Sequence, residues 1–210
     1  MSEPARASGE SPPQPTLVAG EVTLRPWRLG DESTILPLYD TEMARWFGIG
    51  QGVGKGAGKD TPVLSRMQEA IRRWHQGYVD SRSIVTFLVV RTSDPVPVGT
   101  CQVKDAGDGV GVVSWTTYGP YRRTGYAATA LHTLCRYAFD ELGLVRLEAY
   151  VSPGNTTSMH DAVKCGFGRE GLLRGKRSGE DGRRDLLLYA RLVSDPAPRL
   201  KLPRRGRRNR

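Results

Sequence analysis

The sequence predicts a mixed α+β domain whose central sheet is mainly antiparallel and flanked by helices. Three observations carry this. Runs rich in β-branched and aromatic residues, Ile84–Arg91, 98–103 and 110–118, follow one another across the turns Ser93-Asp94-Pro95 and Asp105-Ala106-Gly107-Asp108-Gly109, as in an antiparallel meander. An amphipathic stretch starting at Ala127 then places Leu131, Leu134, Ala138 and Leu142 on one stripe, which is helical spacing. After it, strand-like and helix-like stretches alternate, and strands followed by alternating helices and strands mark a mixed fold.

Taken in order, residues 1–15 are rich in Pro, Ser and Glu and read as disordered. The domain is expected over 20–194, between a disordered segment, 1–19, and a basic disordered tail, 195–210. Residues 22–27 alternate apolar and polar and read as a strand ending near Pro26. Asp31 is a candidate N-cap for a helix through Ile35, Leu38 and Tyr39, which Pro37 keeps irregular. Glycines at 48, 50, 52, 54, 56 and 58 form a loop that fits neither GxxxxGK[ST] nor GxGxxG. It reads as a linker between two helices or as a flap over an acceptor site. Leu64, Met67, Ile71 and Trp74 predict a helix over 63–74. The helix from Ala127 stops at Gly143, a strand covers 145–151, and a short helix over 155–165 stops at Gly166. Residues 172–177 and 186–192 read as a closing strand pair around Gly179-Glu180-Asp181-Gly182. No internal repeat is visible.

The chain has 210 residues, 38% hydrophobic and 25% charged, which is globular composition with room for a full core. No apolar stretch approaches the roughly 20 residues that span a bilayer, and the first 15 residues lack a secretory pattern. Cys101, Cys135 and Cys165 have no paired spacing for a metal or a redox couple. They read as reduced core residues of a cytoplasmic protein. The net charge of +9 is local: residues 199–210 hold seven Lys or Arg and no acid, and without them 24 bases face 22 acids. That tail reads as a weak docking arm for RNA or another acidic partner, or as a solubilising end with no dedicated partner.

The most informative segment is Arg122-Arg123-Thr124-Gly125-Tyr126-Ala127. It joins a strand to a helix through a Gly-containing turn, so backbone N–H groups and the helix dipole converge where two arginines add charge. Such a place holds a phosphate or diphosphate, which points to a phosphate-bearing cofactor and an enzyme.

Two motifs give a family resemblance. One is Tyr121-Arg122-Arg123-Thr124-Gly125-Tyr126-Ala127, against Q/R-x-x-G-x-G/A. The other is Asn155-Thr156-Thr157-Ser158, then Lys164-Cys165-Gly166-Phe167-Gly168-Arg169-Glu170-Gly171 and Arg174, against N-x-x-S…K-x-G-F-x-x-E-G…R. With the element order over about 22–193, the chain resembles the GNAT superfamily of N-acetyltransferases, and within it the RimJ/RimL type. Many relatives carry Gly where Arg123 stands.

The resemblance implies a GNAT-like sheet with splayed strands at an acetyl-CoA site. Trp115, Thr116 and Thr117 would line the pantetheine arm, and a backbone N–H of that segment would polarise the thioester carbonyl. Arg122, Arg123, Thr124, Gly125, Tyr126 and Ala127 would cradle the diphosphate. Asn155 would hydrogen-bond the pantetheine amides, though Asn is also a favoured helix cap. Ser158 would donate a proton to the departing sulfur. Two positions where relatives carry an acid are occupied by Val112 and Arg177, which leaves Glu148 as the best candidate for a general base, beside a plain reading as a solvated or salt-bridged strand residue. Catalysis without a base residue, through water, is the remaining route. Nothing in the sequence singles out His75, His132 or His160. The implied activity is acetyl transfer from acetyl-CoA to a primary amine, of a protein N-terminus or a small molecule. The alternative is a non-catalytic module that binds acyl-CoA or associates with RNA or ribosomes. A monomer or a homodimer, with no membrane partner, fits either.

Overall fold

The computed structural model describes residues 13–43, 63–179 and 182–198. Eight strands form one sheet in the order β1-β2-β3-β4-β5-β6-β8-β7. They are β1 (Leu17–Ala19), β2 (Val22–Pro26), β3 (Ile84–Arg91), β4 (Pro97–Gly107), β5 (Val110–Thr117), β6 (Arg146–Val151), β7 (Gly168–Gly179) and β8 (Gly182–Leu192). The principal helices are α1 (Asp31–Ile35), α2 (Val63–Ser81), α3 (Tyr126–Asp140) and α4 (Thr156–Lys164).

Every strand pairing is antiparallel except β5 with β6. A parallel neighbour needs a crossover, and α3 supplies it. The sheet is sandwiched, and the alternation along β3 shows how. Val85, Phe87 and Val89 join a core with Leu131 and Leu134 of α3, Leu147 of β6 and Phe167. Leu88 and Val90 point the other way, to a second core with Trp27, Ile35, Met67, Ile71 and Tyr118. A strand buried on both faces reads as a continuous apolar run, and β3 is one.

The structure departs from the expected elements in instructive places. Leu17–Ala19 forms a strand within the segment read as disordered over 1–19, because it folds back on Leu24, Thr23 and Val22 as a hairpin. The rest of that segment up to residue 12, the glycine-rich stretch 48–59 and the basic residues 199–210 lie outside the described residues, as do Glu180 and Asp181 of the closing turn. Asp31 is the first residue of α1 and not its cap. Gly30 takes the cap position, while the Asp31 carboxylate accepts the Arg28 N–H at 2.7 Å and pairs with Arg25. Pro37 ends regular helix as expected, and residues Leu36–Leu38 continue as a 3-10 turn. The helix expected over 63–74 runs on to Ser81, and β7 begins at Gly168, directly after Phe167.

One irregularity positions the site. β5 pairs with β6 only at Val110, Gly111 and Val112, against Arg146, Leu147 and Glu148. Both strands continue past that point, β5 to Thr117 along β4 and β6 to Val151 along β8. The two therefore diverge, and the sheet opens into a V. Close packing of β4 on β5 holds the open arm: a Cβ on Gly99 would collide with the Thr116 backbone carbonyl.

Candidate active site

The V leads into a cleft of about 530 Å³. Its walls come from three sources: Trp115, Thr116 and Thr117 at the end of β5; the turn from Tyr121 to Ala127; and Asn155 to Ser158, with His160, Asp161 and Lys164, from α4. Glu42 and Met43 close the fourth side. All the residues expected to bind a cofactor thus face one cavity: Trp115, Thr116, Thr117, Arg122, Arg123, Thr124, Gly125, Tyr126, Ala127, Asn155 and Ser158.

The turn is shaped by two residues in left-handed conformation, Arg123 at φ 65° and Gly125 at φ 88°. Gly125 is the N-cap of α3 and makes no side-chain cap hydrogen bond. The open N-terminal turn of a helix carries unsatisfied N–H donors and partial positive charge. Among the described residues, the N–H groups of Arg123, Thr124 and Gly125 donate to no protein acceptor. A Cβ placed on Gly125 would meet nothing within 4 Å, so the cradle is open. Thr124 secures the bend: its hydroxyl donates to the Tyr121 carbonyl at 2.7 Å. Free donors, a helix N-terminus and an open cup fit a diphosphate.

Asn155 caps α4, with its side-chain oxygen accepting the Ser158 N–H at 3.1 Å. The residue is buried and lines the cleft, and its cap uses only the side-chain oxygen. Capping and cofactor contact are therefore compatible. Ser158 stands on the first turn of the helix, half-buried.

Glu148 is a different matter. It sits where the V begins but does not line the cleft. One oxygen accepts from Arg146 Nε at 2.8 Å and the other from the Tyr150 hydroxyl at 2.6 Å. Burial pulls its carboxyl upward, but Tyr150 and Arg146 outweigh that and hold it below the ordinary carboxylate value. Arg146 also grips Glu170, so the group is one arm of an ion-pair network. A carboxylate with both oxygens engaged and its proton affinity lowered is a poor base, and the geometry counts against the catalytic role expected of it. Of the histidines, His75 bonds the Trp27 carbonyl at 2.7 Å, away from the cleft, while His160 lines it.

Three acidic residues escaped sequence reasoning. Asp161 lies on the cleft wall one turn beyond Ser158, a spacing that could have flagged it. Burial raises its carboxyl above the usual range despite the nearby Trp115 indole, Lys164 and His160, which act in the opposite direction. The indole N–H of Trp115 is itself buried without a hydrogen-bond partner among the described residues. Asp40 and Glu42 pair with Arg122 at 2.8 and 2.7 Å. They come from 82 and 80 residues upstream, and no local pattern announces such a contact.

Residues 21–168 match the family described as the acetyltransferase (GNAT) domain. The chain belongs to the GNAT acetyltransferases. It is 25% identical over 187 residues to the uncharacterized N-acetyltransferase p20 of Bacillus licheniformis, covering 87% of this chain and 98% of that protein. The fold is shared with Mycobacterium smegmatis RimJ in complex with CoA-disulfide, at a TM-score of 0.72 and 21% identity, over 86% of this chain and 88% of that one. It is also shared with the ribosomal-protein-S5-alanine acetyltransferase of Vibrio fischeri, at a TM-score of 0.71 and 17% identity, over 87% and 99%. As a GNAT protein, the chain is an acetyl-CoA-dependent N-acetyltransferase, and the V between β5 and β6 is the splay expected of that fold. A purely non-catalytic module is not favoured.

Proposed function

We propose that this GNAT enzyme acetylates a protein N-terminal amine; its neighbours in fold include RimJ and an enzyme named for acetylating an alanine of ribosomal protein S5. Small-molecule amines are the second acceptor class. The observation that carries the site assignment is the V-shaped cleft, which ends in an open helix N-terminus. In this reading Arg122, Arg123 and the N–H groups from Arg123 to Gly125 receive the diphosphate of acetyl-CoA. Trp115, Thr116 and Thr117 flank the pantetheine arm, and Asn155 bonds its amides through the nitrogen not used in capping. A backbone N–H of β5 polarises the thioester carbonyl as charge develops on its oxygen.

The acceptor nitrogen attacks the thioester carbon. The carbon–sulfur bond breaks, the Ser158 hydroxyl gives its proton to the departing sulfur, and water in the open cleft carries off the proton lost by the amine and returns one to Ser158. Three free, buried cysteines support a reducing compartment, and we assign the enzyme to the cytoplasm. Among the described residues no helix is long and apolar enough to cross a membrane. The basic tail serves as a weak arm for RNA or another acidic partner, a role that suits an enzyme visiting ribosomal proteins.

The test is release of free CoA thiol from acetyl-CoA, followed across N-terminal peptides beginning with Ala or Ser and a panel of diamines. Turnover with the peptides is expected. Thiol release with diamines alone would reject the N-terminal reading. Gly125→Val, which puts a branched side chain at φ 88° in the cradle mouth, is expected to weaken CoA binding at least about tenfold. Unchanged affinity would displace the assigned site.

A further inference from the structure

Arg122 faces the cradle but is already held. Its Nη1 donates to Glu42 Oε2 at 2.7 Å and its Nη2 to Asp40 Oδ1 at 2.8 Å. Asp40 is itself fixed. The same oxygen accepts the Met43 N–H at 2.9 Å. Its other oxygen lies so near Gly119 that a Cβ there would come within 2.6 Å of it. The guanidinium beside Asp40 also holds that carboxyl below its usual range, ahead of burial, which pulls it up. Arg122 and Glu42 line the same cleft as the open turn. A diphosphate entering the cradle therefore meets a trio carrying one net negative charge, not a lone cation.

We propose that Asp40 and Glu42 are positioning residues that hold Arg122 back from the cofactor, so that CoA binding exchanges two carboxylates for phosphate oxygens on one guanidinium. This inference rests on the reading of the turn as the diphosphate cradle. The arrangement suits exchange over permanence. The three side chains are 25%, 34% and 48% exposed for Arg122, Asp40 and Glu42, and exposed ion pairs are weak. A guanidinium fork donates to phosphate oxygens as readily as to carboxylate. The cradle's backbone donors add to the phosphate side of the competition and nothing to the other. When Arg122 turns to the cofactor, Asp40 keeps its bond to Met43, and Glu42 loses its cation. Cofactor arrival is thereby coupled to the segment 40–43, whose Glu42 and Met43 close the fourth side of the cleft.

The experiment is calorimetric titration of the full chain with CoA in four proteins: wild type, D40N/E42Q, R122A and the triple variant. Removing the carboxylates is expected to tighten CoA binding by about 5- to 10-fold. Arg122→Ala is expected to cost no more than about threefold alone but about tenfold or more in the D40N/E42Q background, a non-additivity that a merely structural role would not produce. Weaker binding by D40N/E42Q, or an equal cost of Arg122→Ala in both backgrounds, overturns the inference while leaving the cradle intact. No CoA binding by the wild type overturns the cradle reading and this inference with it. If the double variant fails to fold, Glu42→Gln alone carries the test, since it leaves the Asp40–Met43 contact in place. About two- to threefold tighter binding is expected, and unchanged or weaker binding overturns the inference.

Discussion

Arg123 holds a left-handed backbone conformation with a full side chain, at φ 65°. That conformation costs roughly 1–2 kcal/mol for an L-residue, of which glycine's larger unfolded-state freedom takes back about half to one. Arg123→Gly is therefore expected to raise thermal stability slightly, by less than about 1 kcal/mol. It is also expected to weaken CoA binding about two- to fivefold if the guanidinium meets phosphate. Thermal melting and calorimetry separate the two effects, and a fall in stability would show that the side chain is not strained. Glu148 gives the opposite kind of test. Both its oxygens are engaged by Arg146 and Tyr150, so Glu148→Gln is expected to change kcat less than about threefold. Loss of a working general base would cost about a hundredfold or more, and a drop of that size would restore Glu148 to catalysis.

At the scale of elements, the site depends on two local devices. The first is the cap of α4. Asn155→Ala removes it and is expected to cost about 1 kcal/mol of stability and to raise the KM for acetyl-CoA. Asn155→Ser keeps a capping oxygen but has no amide nitrogen. It is expected to retain stability and still raise KM, and a normal KM in that variant would reduce Asn155 to a cap. The second device is the close seat of β5 on β4. Gly99→Ala would drive a methyl group into the Thr116 carbonyl, and backbone cannot yield as a flexible side chain does. Displacing Thr116 moves a cleft wall, so both melting temperature and acetyl-CoA affinity are expected to fall, with kcat/KM falling further than either. Full activity in Gly99→Ala would mean that the arm of the V tolerates being moved.

For the whole molecule, what was legible in the sequence was what is local. The β3–β5 meander, the α3 stripe and the turn at Gly125 are each specified by residues within a few positions of one another. The three-residue strand Leu17–Ala19 was not legible, because its evidence is its pairing with Val22–Leu24 and not its own pattern. Among the cleft residues, the turn at Gly125 and the Asn155 cap were readable, whereas the partners of Arg122 and the engagement of Glu148 depend on side chains that the fold brings together. The same long-range ion pairs set the response to acid. Arg122 first, and then the Met43 and Glu42 backbone, lower the Asp40 carboxyl against its burial, and Arg146 lowers Glu170. Burial is the largest single influence on Glu148 and raises it, but Tyr150 and Arg146 together outweigh burial and lower it as well. A carboxyl whose folded value lies below its unfolded value, about 3.9 for Asp and 4.3 for Glu, stabilises the fold fully above the unfolded value. It loses that contribution as pH falls toward the folded one. The melting temperature attributable to these groups is therefore expected to be level from neutral pH to about pH 5 and to fall below about pH 4.5. Arg146→Met removes the cation shared by Glu148 and Glu170. It is expected to lower stability at neutral pH while making the acid slope shallower, because both carboxyls move back toward their unfolded values. A variant that melts lower by the same amount at every pH would show that Arg146 acts through packing and not through its charge.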